Sequence, residues 1–180
     1  MKKISILVIT TLLISACSST TQVNLPGLVP GCDEIKLLDT ADKSTLMPCL
    51  GGEVSINFHQ LKGPMVINVW GSWCEGCKQE MPYFVDLYKT QAFESGQIQL
   101  LGVNVEESSK EDAVEYIIKS GMSWPLLEDL DGISKSIFGP GVPVTWFIDK
   151  EGENVATKIG AYTNKDQLFE QVEKAFGIKL

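Results

Sequence analysis

A run from Met65 to Trp70, apolar except for Asn68, ends four residues before the cysteine pair Cys74 and Cys77. Lys62-Gly63-Pro64 bounds the run on its other side. A short apolar, β-branched run between such punctuation predicts a strand buried on both faces. Beyond the pair, Met81, Phe84, Val85 and Tyr88 recur at helical spacing. They predict a helix from Cys77 to about Phe93, with Pro82 expected to kink it or weaken its first turns. The two cysteines therefore stand where a buried strand hands over to a helix. A cysteine at a helix N-terminus faces unpaired N–H groups and the positive end of the helix dipole, and both favour the thiolate. Two intervening residues place the second sulfur one turn further in and better shielded. This pattern points to Cys74 attacking a disulfide and Cys77 releasing the mixed disulfide, or to the same steps run backwards. The chemistry resides in the two sulfurs and calls for no cofactor. Metal binding is set aside, because His59 is the only histidine and Cys32 and Cys49 stand well apart rather than clustered. A purely structural disulfide across so short a loop would be strained.

The rest of the chain supplies a frame around that junction. Weak strand signals lie near Ile35–Leu38 and Glu53–Ile56. Ile98–Val105 reads as a second buried strand, and Ser109-Lys110-Glu111-Asp112 as a capping box opening a helix to Ser120, ended by Gly121. Pro125–Leu127 suits a short strand and Ile133–Phe138 a short helix. Val144–Asp149 and Glu153–Ile159 alternate about Lys150-Glu151-Gly152, a hairpin signal. A last helix is expected from Thr163, with Asp166 as its reciprocal cap and Leu168, Val172 and Phe176 inward. The order β-α-β-α-β, hairpin, α predicts an α/β fold with a central mixed sheet and helices on both faces.

The N-terminus reads as an export signal. Met1-Lys2-Lys3 is basic, and Ile4 to Ile14 is an apolar run of signal-peptide length, too short to span a bilayer of roughly 30 Å. Ile14-Ser15-Ala16-Cys17 resembles the bacterial lipoprotein processing box, in which the cysteine receives the lipid. Residues 1–16 are therefore expected to be a lipoprotein signal peptide, 17–31 a polar, Pro/Gly-containing tether, and 32–180 the folded domain after a short N-terminal extension. Fifteen lysines face 23 acids, with no arginine and a net charge of −8. Nothing supplies the basic surface that nucleic acid requires.

Three motifs resemble the thioredoxin superfamily, and within it the membrane-tethered TlpA/ResA-like thiol–disulfide oxidoreductases. They are Asn68 to Pro82 around the cysteines, Gly102-Val103-Asn104-Val105, and Gly141 to Asp149. The resemblance covers about Gly52 to Phe176 and implies a thioredoxin-like fold. It implies catalytic roles for Cys74, Cys77 and Glu80, with Glu80 tuning proton uptake at the sulfurs. It implies a substrate surface formed by Trp73, Val142 and Pro143, with a cis bond before Pro143 and strand addition by the substrate. Asn68 stands where thioredoxins carry a buried aspartate, which favours Glu80 for proton handling. Gly71 and Gly76 depart from the family's usual alanine and proline, so the direction of electron flow stays open. Cys32 and Cys49 are expected to form a structural disulfide contributing roughly 3 kcal/mol.

The family suggests a cell-envelope reductase on the extracytoplasmic face of a bacterial membrane. It would keep haem-attachment or other cysteines reduced, in the manner of cytochrome c maturation, and be fed by a membrane thiol-transfer donor. Its partners would be protein thiols and disulfides, with the membrane reached through lipid on Cys17. A disulfide oxidase or isomerase is the enzymatic alternative. A copper chaperone on the same fold would need a histidine or methionine facing the cysteines, and a peroxidase would need a Thr-x-x-Cys site that is missing.

Overall fold

The computed structural model describes residues 27–39, 45–129 and 131–180. The segments expected to be the lipoprotein signal and most of the tether, with Cys17, lie outside the described residues. Five strands form one mixed sheet, ordered β5-β4-β3-β6-β7. At its centre is β3 (Met65–Trp70), every residue of which is buried. It pairs in parallel with β4 (Gln99–Val105), which in turn pairs in parallel with β5 (Leu126–Asp129). On its other side β6 (Val144–Ile148) runs antiparallel to it, and β7 (Asn154–Ile159) antiparallel to β6. A strand with neighbours on both edges and layers on both faces has no solvated side, which explains its unbroken apolar run.

The two faces are covered unequally. The long helices α1 (Glu75–Tyr88), α3 (Lys110–Ser120) and α5 (Lys165–Phe176) pack on one face around Phe84, Leu87, Ile117 and Leu168, with the short α2 (Gln91–Glu94) alongside. The opposite face is closed by smaller pieces. These are α4 (Ser134–Phe138), a 3-10 turn at Phe58–Gln60, and a hairpin of β1 (Leu46–Pro48) with β2 (Ser55–Asn57). Phe58, Phe138 and Trp146 meet edge-on there, with centroids 5.0 Å and 4.8 Å apart along the chain of contacts. Among the described residues no helix is long and apolar enough to cross a membrane.

Several boundaries differ from the sequence expectation, each for a local reason. Ile35–Leu38 forms no strand. Only Leu37 bridges to Leu61, because the facing chain is a 3-10 turn that allows a single extended residue before Gly63-Pro64. The expected strand at Glu53–Ile56 starts at Ser55, and its partner β1 was not foreseen, since Pro48 argues against a strand. The helix predicted to Phe93 ends at Tyr88, where Lys89 and Thr90 turn the chain into α2. Pro82 is exposed inside α1 and the helix runs through it. Ser109 caps α3 as expected, accepting from the Asp112 N–H at 3.2 Å. The last helix is capped by Asn164 instead of Thr163, with Oδ1 accepting from the Gln167 N–H at 3.0 Å. Asp166 is not the reciprocal partner; Gln167 takes that place, its Oε1 accepting from the Thr163 N–H and hydroxyl. Phe176 is only half-buried.

Cys32 and Cys49 are joined by a disulfide and both are buried. Cys49 bridges Leu127 and the Leu50 N–H donates to the Leu126 carbonyl, so the linked segments lie along the β5 edge of the sheet. Covering an edge strand removes a template for unwanted pairing. The bond closes a separation of 17 residues, a length for which loss of unfolded-chain entropy gives about 3 kcal/mol. Cys32→Ala with Cys49→Ala is therefore expected to lower the melting temperature by about 6–12 °C. Calorimetry of the two proteins checks this, and a shift below about 2 °C would remove the disulfide from the stability account.

Candidate active site

The cysteine pair sits beyond the C-terminal end of β3, at the end of the three parallel strands where ligands of α/β sheets commonly bind. β3 stops at Trp70, a turn follows in which the Cys74 N–H donates to the Gly71 carbonyl at 3.1 Å, and α1 begins at Glu75. Cys74 is the N-cap, in extended conformation, and its Sγ accepts the Cys77 N–H at 3.1 Å. The two sulfurs are bonded to each other, with Cα atoms 5.3 Å apart. Their exposure separates them: Cys74 keeps 5 % and Cys77 none. Cys74 is the less shielded of the two.

Val142-Pro143 is a cis peptide, as is Gly63-Pro64. The Pro143 segment lies against the turn between the cysteines. A Cβ placed on Gly76 would fall 3.3 Å from Pro143 Cδ and 3.5 Å from the Ala161 Cβ. Glycine there leaves both neighbours in close contact with the cysteine turn. The other departure, Gly71, has a comparable cause. A Cβ on Gly71 would come within 2.6 Å of Trp73 Nε1, because the indole folds back over it and donates to the Val105 carbonyl at 3.3 Å. Trp73 still exposes 49 % of its surface beside Cys74 in sequence, while Val142 is half-buried.

Glu80, one turn after Cys77 on α1, is fully buried. Its carboxyl accepts from Asn68 Nδ2 at 3.0 Å and from the Tyr162 N–H at 2.9 Å. Burial pushes its pKa up from 4.5 to about 7, while those two hydrogen bonds and the charge of Lys158 pull the other way. A buried carboxyl that is half ionised near neutrality can both give and take a proton.

Glu107 belongs to the site's support and was not singled out from the sequence. Its carboxylate accepts from the Ser72 N–H at 2.6 Å, the Ser72 hydroxyl at 2.5 Å and Asn104 Nδ2 at 2.6 Å. It thereby ties the turn before Cys74 to the end of β4. The signal was present in the register: Trp70 pairs with Asn104, so the residues after β4 must lie beside those after β3. Glu106 beside it adopts a positive φ of 53° and pairs with Lys135.

A profile of the AhpC/TSA family matches residues 38–158. Thiol-disulfide oxidoreductase ResA of Geobacillus thermodenitrificans is 30% identical over 128 residues, covering 71% of each chain. Sporulation thiol-disulfide oxidoreductase A of Bacillus subtilis is 31% identical over 162 residues, covering 86% of this chain and 96% of that one. Among solved structures, StoA from Bacillus subtilis superposes with a TM-score of 0.54 at 25% identity, over 68% of this chain and 91% of its own.

Proposed function

The chain belongs to the AhpC/TSA family and is a thiol–disulfide oxidoreductase, and on that premise we propose that it is an extracytoplasmic reductase of protein disulfides, held to a bacterial membrane by lipid on Cys17. In this reading the Cys74 thiolate attacks a substrate disulfide, forming a mixed disulfide and expelling one substrate thiolate. Cys77 gives its proton to Glu80 and attacks the Cys74 sulfur, which expels the second substrate thiolate. Two electrons pass to the substrate and the protein is left with the Cys74–Cys77 bond. A membrane dithiol donor then restores the two thiols. Val142 and Pro143, with exposed Trp73, offer the substrate its docking edge, and haem-attachment cysteines are among the clients this reading admits.

The observation that carries the proposal is the asymmetry of the pair: an outer sulfur at a helix N-cap, an inner sulfur fully buried, and a buried carboxyl one turn beyond it. Direction is tested by equilibrating the pair against glutathione or dithiothreitol and reading the reduction potential. A value near the thioredoxin figure of about −270 mV supports reduction of clients. A value near −120 mV would instead make the protein a disulfide donor.

A further inference from the structure

Lys158, near the end of β7, turns its side chain along its own chain. Its Nζ donates to the carbonyls of Ile159, Gly160 and Ala161 at 3.0, 2.9 and 3.2 Å and lies 5.5 Å from the centre of the Tyr162 ring. An ammonium has three protons to donate, and all three are used on successive carbonyls. Three carbonyl oxygens gathered on one point repel one another unless a cation stands between them. The turn they belong to, with Gly160 at φ +81°, is bonded on both sides. The Gly160 N–H donates to the Pro143 carbonyl at 2.9 Å, and the Tyr162 N–H to Glu80 Oε2 at 2.9 Å. Ala161, between them, faces Gly76. One lysine thus organises a stretch of chain that touches the Pro143 segment, the cysteine turn and the buried carboxyl.

We propose that Lys158 is a positioning residue for Glu80: it gathers the three carbonyls so that the Tyr162 N–H is held on the carboxylate, and it keeps a positive charge on that side of it. The inference rests on Glu80 serving the cysteine pair, and deepens that reading. The other groups acting on Glu80 are Asn68 on β3, which donates to it, and the phenols of Tyr116 on α3 and Tyr162 on the turn itself. Tyr116 is pushed up to about 12 and Tyr162 is also raised, both chiefly by burial and then by Glu80, so neither offers a charge to oppose Lys158 near neutrality. Lys158 acts on the carboxyl twice, through the backbone it holds and through its charge, and both effects favour the ionised form.

The test reads Glu80 directly, in the oxidised full-length protein with carboxyl-labelled glutamate, the Glu80 resonance being assigned by its loss in Glu80→Gln. Lys158→Met is expected to raise the midpoint of the Glu80 titration by ~0.5 pH unit or more and to move the Tyr162 amide proton upfield. Lys158→Arg, which keeps the charge, is expected to return most of that shift. A midpoint in Lys158→Met within ~0.2 pH unit of the parent overturns the proposal, even if exchange slows. Should Lys158→Met not fold, the parent protein decides. A Lys158 Nζ resonance whose chemical shift changes at the Glu80 midpoint supports the assignment, and one that does not change there overturns it. Failure of the Glu80 reading would look different: Glu80→Gln would leave the pH profile of exchange unchanged while the Lys158 variants still shifted the carboxyl.

Discussion

A Cys74→Ser chain is expected to lose reduction of a protein disulfide such as insulin by a factor of at least ~10³, because the covalent route itself disappears. Cys77→Ser is expected to fail differently. Its Cys74 remains at the helix N-cap, with part of its surface open and the dipole behind it, so the first attack proceeds. What is lost is the second displacement, and the protein stalls after one addition with substrate attached. Rapid-mixing kinetics would show a burst of one equivalent followed by almost no turnover. If Cys77→Ser were as inert as Cys74→Ser from the first event, the inner and outer roles would be wrongly divided. Exposure separates these roles, since a sulfur with no accessible surface cannot meet a foreign disulfide without local opening.

The second large effect is at Glu80. When a donor thiolate opens the Cys74–Cys77 bond at Cys74, Cys77 leaves as a thiolate inside a fully buried site. A charge created there is costly unless a proton arrives with it. Glu80, with its pKa at about 7 in this oxidised form, holds that proton below neutrality and has lost it above. The rate per attacking thiolate is therefore expected to fall as pH rises through about 7. Glu80→Gln should remove that inflection and slow the opening by about 10²-fold at pH 6. Stability carries the same signature with a fixed sign. In the unfolded chain the carboxyl ionises near 4.5, while in the folded protein it keeps its proton to about 7. Between those values folding takes up a proton, so Glu80 weakens the fold progressively as pH rises, by a few kcal/mol in all. Glu80→Gln should flatten that slope in denaturant titrations. A parent protein equally stable at pH 5 and pH 8, and a pH-independent opening rate, would take the proton role away from Glu80.

The reach of the sequence can be followed along these residues. The centre of the fold was legible because its physical demands coincide with local pattern. β3 must be apolar throughout, α1 must show a 3.6-residue stripe, and a cysteine at their junction becomes an N-cap. Glu80 was legible as a position, one turn after Cys77. Its environment was not, because the Tyr162 N–H comes from 82 residues away and only the assembled sheet brings it near. Glu107 was hidden for the same reason, since it acts on backbone 35 residues away. Lys158 holds carbonyls next to it in sequence, and only the assembled fold brings that turn to Glu80. The N-terminal region was misread where tertiary pairing overrides local preference, as in Pro48 within β1 and Leu37 with a single bridge. The error at α5 was of another kind. Thr163 and Asn164 are both good caps, and the choice between them depends on which backbone turns extended, here Asn164 at φ −156°.

The most direct test of the account is to trap the first covalent intermediate. Full-length Cys77→Ala, expressed in cells and alkylated on lysis, is predicted to carry client proteins in mixed disulfides. Peptide mass spectrometry should map every such bond to Cys74, and Cys74→Ser with Cys77→Ala should carry none. Adducts that persist in the double variant, or a Cys77→Ala protein recovered wholly free of partners, would contradict exchange through Cys74.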